Sequence, residues 1–543
     1  MLFKIMKVGH AMGIFSYIRI VLLWGLSVIL LAACGGEPQV TTSYGVVEGK
    51  RDGNVKEYLG IPFAAPPVGE LRWADPEPPQ SWDGVREAKY KGHACTQWAT
   101  GIPAFSPNED CLTLNIWVPK GEGPHPVMFW IHGGAQSAGS SNELQYDGRK
   151  LAQAQNVIVV SANYRLLVSG FFALPALGTG EAINGNQAIK DLVAALQWVH
   201  TEIDKFGGDP NNVTVFGESA GSTNTCALLA TPKTKSPQQL MHKAIMQSGA
   251  CDTLGIMSME EAQQIGMGLL EELGCLDDPE PLQCARDLPI EAIRGPIKYD
   301  LFTSFGWTLD EWPYRPGLVV DGDLFPASPV ELVADSQGEI PIMLGTNLNE
   351  GSLFAGFLAH PDDAAGYATF MEARYPGQGE DIVSHYPFAD YPSAGEAHAQ
   401  VRGDLIMKCP TLNMARLYST HNNVWMYSLE KDVFSVVMEV ISLGFKRNAP
   451  ELGVFHTADI GYLFEFPLLS GLFNESDRQV RNIFQQAWGN FARTGNPNGD
   501  EVPQWDAFDP ERNNYLVISA EPENRDDFRQ GACDYWFQVG YGF

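Results

Sequence analysis

With 543 residues, of which 45% are hydrophobic and 19% charged, the chain can bury a sizeable core, and its composition excludes disorder for the bulk. Its 36 Lys and Arg against 65 Asp and Glu give a formal charge of −29, which disfavours nucleic acid and anionic membrane surfaces as partners. Nine cysteines are too few for a disulfide scaffold at this length, yet a few bridges would persist in an oxidising compartment.

Residues 1–33 carry only Lys4, Lys7 and Arg19 as charges and end in the apolar run Ile20 to Ala33. The run is shorter than the roughly 20 residues of a spanning helix, so it reads as an export signal. Leu31-Ala32-Ala33-Cys34 resembles the lipobox of bacterial lipoproteins, in which the cysteine is lipidated and becomes the first mature residue. Gly35 in the next place implies an outer-membrane lipoprotein of a two-membrane bacterium. Cleavage removes three positive charges and leaves −32. The expected organisation is a signal peptide over 1–33, a lipidated tether over 34–40 and one domain over 41–543. The lipid would be the sole membrane contact; the membrane face and the oligomeric state are not legible.

Val40 to Val47 and Val55 to Leu59 predict opening strands, and Tyr58 to Trp73 is too rich in proline for a helix or a central strand. Glu109 to Pro119 alternates like a strand. Pro126 to His132 is a continuous apolar run suited to a buried parallel strand, as is Asn156 to Arg165. Asn186 to Phe206 is helical in pattern, with Leu192, Ala195, Leu196 and Val199 on one face. A β-branched run then enters Gly217-Glu218-Ser219-Ala220-Gly221, and a helix of small residues follows as far as Pro232. Strand, helix and strand in this rhythm predict an α/β fold with a mostly parallel sheet and helices on both faces. From about 255 to 335 the pattern is irregular and partly helical, as in an insertion over the carboxyl edge of the sheet. Pro341 to Glu350 restores a strand that ends in a carboxylate. Residues 360–420 read as helical, Val424 to Leu429 as a strand, Gly453 to His456 as a loop, Asp477 to Thr494 as a helix and Tyr515 to Ser519 as a last strand.

With 55 glycines in the chain, a chance G-x-S-x-G pentapeptide is unsurprising, so its setting decides. The match falls between a strand and a helix, where two glycines let the chain reverse sharply and project Ser219 above the sheet. An alcohol is a poor nucleophile at its own pKa, so Ser219 needs a histidine base and a carboxylate to orient it. His200 and His242 stand in helical surroundings and read as packing or surface residues. No cysteine and histidine spacing suits a metal, no glycine-rich loop suits a phosphate, and no cofactor is expected.

From about Thr41 onward the chain resembles the type-B carboxylesterases, the cholinesterase-like α/β-hydrolases. The landmarks occur in order: Tyr58 to Trp73, Glu109 to Pro119, His132 to Gly139, Asn163-Tyr164-Arg165, Phe206 to Gly221, Gly345 to Gly351 and Gly453 to His456. The resemblance implies a serine esterase acting on a small ester through an acyl-enzyme, with Ser219 as nucleophile, His456 as base and Glu350 as orienting acid. It also implies an oxyanion hole from the N–H groups of Gly134, Ala135 and Ala220, and a supporting role for Glu218. Ala135 stands where the family usually has a third glycine, a form associated with esters of bulky tertiary alcohols. An amidase or carbamate hydrolase would use the same triad; a non-catalytic binding member of the family would lack it.

The resemblance further implies the disulfides Cys95–Cys111, Cys275–Cys284 and Cys409–Cys533, and structural ion pairs Arg72–Glu109 and Arg165–Asp191. Cys226 and Cys251 are left over and are expected as free, buried thiols. Leu167 replaces the glycine usual after Asn-Tyr-Arg-Leu. Trp98 lies at the start of a short Cys95–Cys111 loop, which argues against choline recognition. Phe302, Phe305, Trp307, Trp312, Phe354 and Phe357 are candidates for an apolar cleft.

Overall fold

The computed structural model describes residues 36–97, 107–178, 180–295, 314, 316–336, 340–431, 443–466 and 470–540. The leader, Cys34, Trp98, Phe302, Phe305, Trp307 and Trp312 lie outside them. Eleven strands form the main sheet: β1 Lys50–Asp52, β2 Val55–Pro62, β3 Thr113–Val118, β4 His125–Ile131, β5 Ile158–Ala162, β6 Gly208–Glu218, β7 Lys243–Gln247, β8 Ile342–Asn347, β9 Val424–Leu429, β10 Tyr515–Ile518 and β11 Glu523–Arg525. Their spatial order is β11-β10-β9-β8-β7-β6-β4-β5-β3-β2-β1. Strands β5 through β10 and β4 pair in parallel, and antiparallel strands close both edges.

The continuous apolar runs read as buried strands are buried because both faces of the sheet are covered. Along β4, Val127, Phe129 and Ile131 enter one core cluster while Met128 and Trp130 enter the other. Helices α1 Gln187–Glu202 and α2 Ala220–Ala230 cover the first face, and α5 Glu475–Thr494 covers the second. The helix α5 starts where Asn474 and Asp477 cap each other's backbone N–H and stops at Gly495, which adopts a φ of 76°. Between β8 and β9 lie α3 Ala394–Gly403 and α4 Cys409–Ser419, joined by one π-helical turn, Asp404–Lys408. The C-terminal helix α6 Gln530–Val539 and edge strand β11 were not legible in the sequence.

The expected bridges Cys95–Cys111, Cys275–Cys284 and Cys409–Cys533 are present, as are the ion pairs Arg72–Glu109 and Arg165–Asp191, each at 2.7 Å. The expectation of free thiols at Cys226 and Cys251 is overturned. They form a fourth disulfide, because α2 packs against the loop after β7 and brings their Cα atoms to 5.1 Å. His242 is also not helical: it precedes β7, where its Nδ1 accepts from the N–H of Val213. Leu167 adopts the left-handed backbone of the glycine it replaces, with a φ of 51° and its N–H held by Gln136 O at 2.9 Å.

Candidate active site

Ser219 is aimed by backbone geometry. Ser219 ends β6 with a φ of 57° and a ψ of −124°, an arrangement that costs an L-residue energy and persists only when its surroundings enforce it. They do so in two ways. The Ser219 N–H donates to Gln247 O on the neighbouring β7 at 2.9 Å. The flanking glycines are compulsory, since a Cβ at Gly217 would lie 2.4 Å from Gly221 O and one at Gly221 would lie 2.1 Å from Ile131 O. Ser219 is 8% exposed while every residue of α2 behind it is buried.

The loop from His132 to Gly139 passes directly over this serine, because a Cβ at Gly133 would come within 3.1 Å of Ser219 Cβ. The loop is braced on all sides. Burial holds the His132 imidazole well below its ordinary pKa, at about 4, so it stays neutral and donates from Nδ1 to Gly133 O at 2.8 Å. Tyr164 stacks on that ring and donates to His132 O. Gln97 hydrogen-bonds both the N–H and the C=O of Gly139. Gly134 has a φ of 110° and Ala135 a φ of 52°. Their N–H groups make no backbone hydrogen bond among the described residues, and Ala220 opens α2, where a helix has no internal acceptor. Three N–H groups near Ser219 are thereby left without a backbone acceptor among the described residues.

Glu350 follows β8, and His456 lies on the loop that pairs with it through Asn349 and Phe455. His456 Nδ1 donates to Glu350 Oε2 at 2.7 Å. The other carboxylate oxygen, Oε1, accepts from the Asn347 N–H at 2.7 Å and from Ser248 Oγ at 2.5 Å. Among the described residues His456 Nε2 forms no hydrogen bond, and it stands 3.3 Å from Glu218 Oε1. Glu350 and His456 are therefore joined, whereas the link from Ser219 to His456 is open in this structure, as is common before substrate tightens a site. The Phe354 ring packs on the imidazole at 5.1 Å.

Burial alone would lower the His456 imidazole, but the carboxylates of Glu218 and Glu350 outweigh it, with Asp459 adding to them, and raise it above the ordinary histidine value. Burial also raises Glu218, against the pull of His456. A base must be neutral to accept a proton, so with His456 as the base proposed below the acid limb of kcat/KM is expected above pH 6.5. Glu218→Gln removes a negative charge beside the imidazole and should move that limb to lower pH by about one unit. An unmoved limb in the pH–rate profile would show that Glu218 carries no charge there.

Sequence reasoning missed Ser248, Asn347 and Asp459. Ser248 ends β7 with a φ of 55°, and its signal was a Gln-Ser-Gly turn after a buried strand. Asp459 is buried behind the histidine, held by Gln247 Nε2 at 2.6 Å.

A nucleophile elbow, a facing N–H loop and a buried Glu–His pair, on a sheet of this order, agree with the comparisons. Residues 36–536 match the family model described as "Carboxylesterase family". The chain belongs to the carboxylesterase family. The para-nitrobenzyl esterase of Bacillus subtilis (strain 168) is 34% identical over 89% of this chain and 95% of its own. An acetylcholinesterase of Bungarus fasciatus is 32% identical over 94% and 87%, and a medium-chain fatty acyl-CoA hydrolase precursor of Anas platyrhynchos is 30% identical over 93% and 92%. Among solved structures, a PNB esterase superposes with a TM-score of 0.74 at 31% identity, covering 92% of this chain and 99% of that one. This carboxylesterase has the α/β-hydrolase fold and is a serine hydrolase of carboxylic esters.

Proposed function

We propose that the carboxylesterase works through an acyl-enzyme on Ser219, with His456 as general base and acid and Glu350 as the residue that orients it. The observation that carries this reading is the 2.7 Å bond from His456 Nδ1 to Glu350 Oε2, which leaves Nε2 unpaired beside the nucleophile elbow. Ser219 Oγ attacks the ester carbonyl as its proton passes to His456 Nε2. The N–H groups of Gly134, Ala135 and Ala220 receive the oxyanion, and the imidazolium returns the proton to the leaving alcohol. Water then repeats the sequence on the acyl-enzyme. Diethyl p-nitrophenyl phosphate should release one p-nitrophenolate per chain and leave its phosphoryl group on the peptide that carries Ser219. Ester turnover that survives the reagent, or a label found elsewhere by mass spectrometry, would refute the assignment.

We also propose that residues 1–33 are a signal peptide, that Cys34 carries lipid at the bacterial envelope, and that 41–543 is one domain. The main sheet supports the last point, since its strands run from Lys50 to Arg525. Four disulfides among the described residues support an oxidising compartment. Cys34→Ala should move the protein from the membrane fraction to the soluble one; an unchanged distribution would exclude the lipid anchor.

A further inference from the structure

The π-helical turn Asp404–Lys408 stands behind the carboxylate of Glu350, and its charges are unused by the reaction as described. The end of α3 that leads into the turn lies against the loop of Glu350 backbone to backbone: a Cβ at Gly351 would lie 1.8 Å from Ala399 O and 2.6 Å from Gly403 N. Asp404 is fully buried and accepts from Tyr386 OH, Gln400 Nε2 and Arg529 Nε, each at 2.9 Å. Lys408 is 4% exposed; its Nζ is 4.0 Å from Asp404 Oδ1 and donates to Leu348 O at 2.7 Å. The same 348–349 peptide donates from its other side, since the Asn349 N–H bonds to Val454 O at 2.9 Å, two residues before His456. One peptide unit therefore joins the acid loop to the base loop, and a buried ammonium holds its carbonyl. A polar cavity lined by Asn349, Glu350, Ser352, Glu396, Gln400 and Lys408 lies beside it.

We propose that Lys408 is a positioning residue for the reaction: its ammonium fixes the peptide that sets Glu350 against His456, and places a positive charge behind that carboxylate. The proposal rests on the triad reading above. A buried lysine is costly unless its charge is used, and here it is used by the Leu348 carbonyl and the Asp404 carboxylate, which a hydrophobic side chain would leave without it. Burial pushes the Lys408 ammonium down, while Asp404, Glu350 and Glu430 draw it up and Arg529 opposes them.

The test compares Lys408→Met with Lys408→Arg in the full chain, by p-nitrophenyl acetate turnover across pH and by thermal unfolding. Lys408→Met should lower kcat by about 10- to 100-fold with little change in KM, and lower Tm modestly because Leu348 O loses its donor. Its acid limb should move to higher pH, because a cation that disfavours protonated His456 is gone. Lys408→Arg should recover most of the kcat, the neighbouring cavity giving the longer side chain room. A Met variant with wild-type kcat, or one whose acid limb does not move and whose loss is not rescued by Arg, overturns the proposal. Glu350→Gln in parallel separates the two readings: if it stays active the triad assignment fails, and if it is inactive while Lys408→Met is not, only the role of Lys408 fails.

Discussion

Glu350→Gln is expected to lower kcat by about 10⁴-fold while leaving the fold intact, and the hydrogen bonds around the carboxylate say why. Glu350 Oε1 accepts two donors, the Asn347 N–H and Ser248 Oγ, and Oε2 accepts one from His456 Nδ1. A glutamine satisfies the pair of donors only with its oxygen in the Oε1 place. Its NH₂ group then faces His456, so Nδ1 must become an acceptor and the ring proton moves to Nε2. A histidine protonated at Nε2 cannot take the proton of Ser219. Removing the buried negative charge also strips support from the imidazolium that forms during attack. The check is kcat on p-nitrophenyl acetate; a loss under about tenfold would mean that Glu350 does not set the tautomer.

The second large effect is on stability. Replacing both Cys226 and Cys251 with alanine should cost about 3 kcal/mol, from a crosslink that closes a loop of 25 residues. The bridge joins α2, the helix behind Ser219, to the loop that carries Ser248, the partner of Glu350. Ser222 Oγ adds a 2.7 Å bond to Gly249 O between the same two segments. Loss of the bridge should therefore appear first as heat inactivation of the esterase, and only then as global unfolding. Thiol titration of the denatured, unreduced chain from Gly36 checks the premise: it should find no free thiol, and two would restore the free-cysteine expectation.

The strained turn at Ser219 and the Glu350–His456 hydrogen bond fall on residues singled out in the sequence, because each lies in a short motif and each ends a strand or opens a loop at the same sheet edge. The glycines at 217 and 221 were legible for the same reason, since only a missing side chain permits approaches of 2.4 and 2.1 Å. The Cys226–Cys251 bridge was not, because two cysteines that match no shared pattern reveal a pair only through the packing of α2 on the loop after β7. Ser248 and Asp459 are ordinary polar residues until the sheet places them beside Glu350 and His456. Strand β11, Glu523–Arg525, is exposed throughout and has no apolar alternation to betray it.

The site is assembled from segments far apart in the chain: Ser219 leaves β6, while Glu350 and His456 come from beyond the midpoint. At roughly 5–20 residues per second of synthesis, Ser219 emerges tens of seconds before His456, the base proposed for it. A nascent or truncated chain that ends before His456 holds a serine with no proton acceptor and an acid with nothing to orient. Under the proposed triad such fragments are expected to be hydrolytically silent, so a cell making this enzyme would meet its reactivity only when the chain is nearly complete.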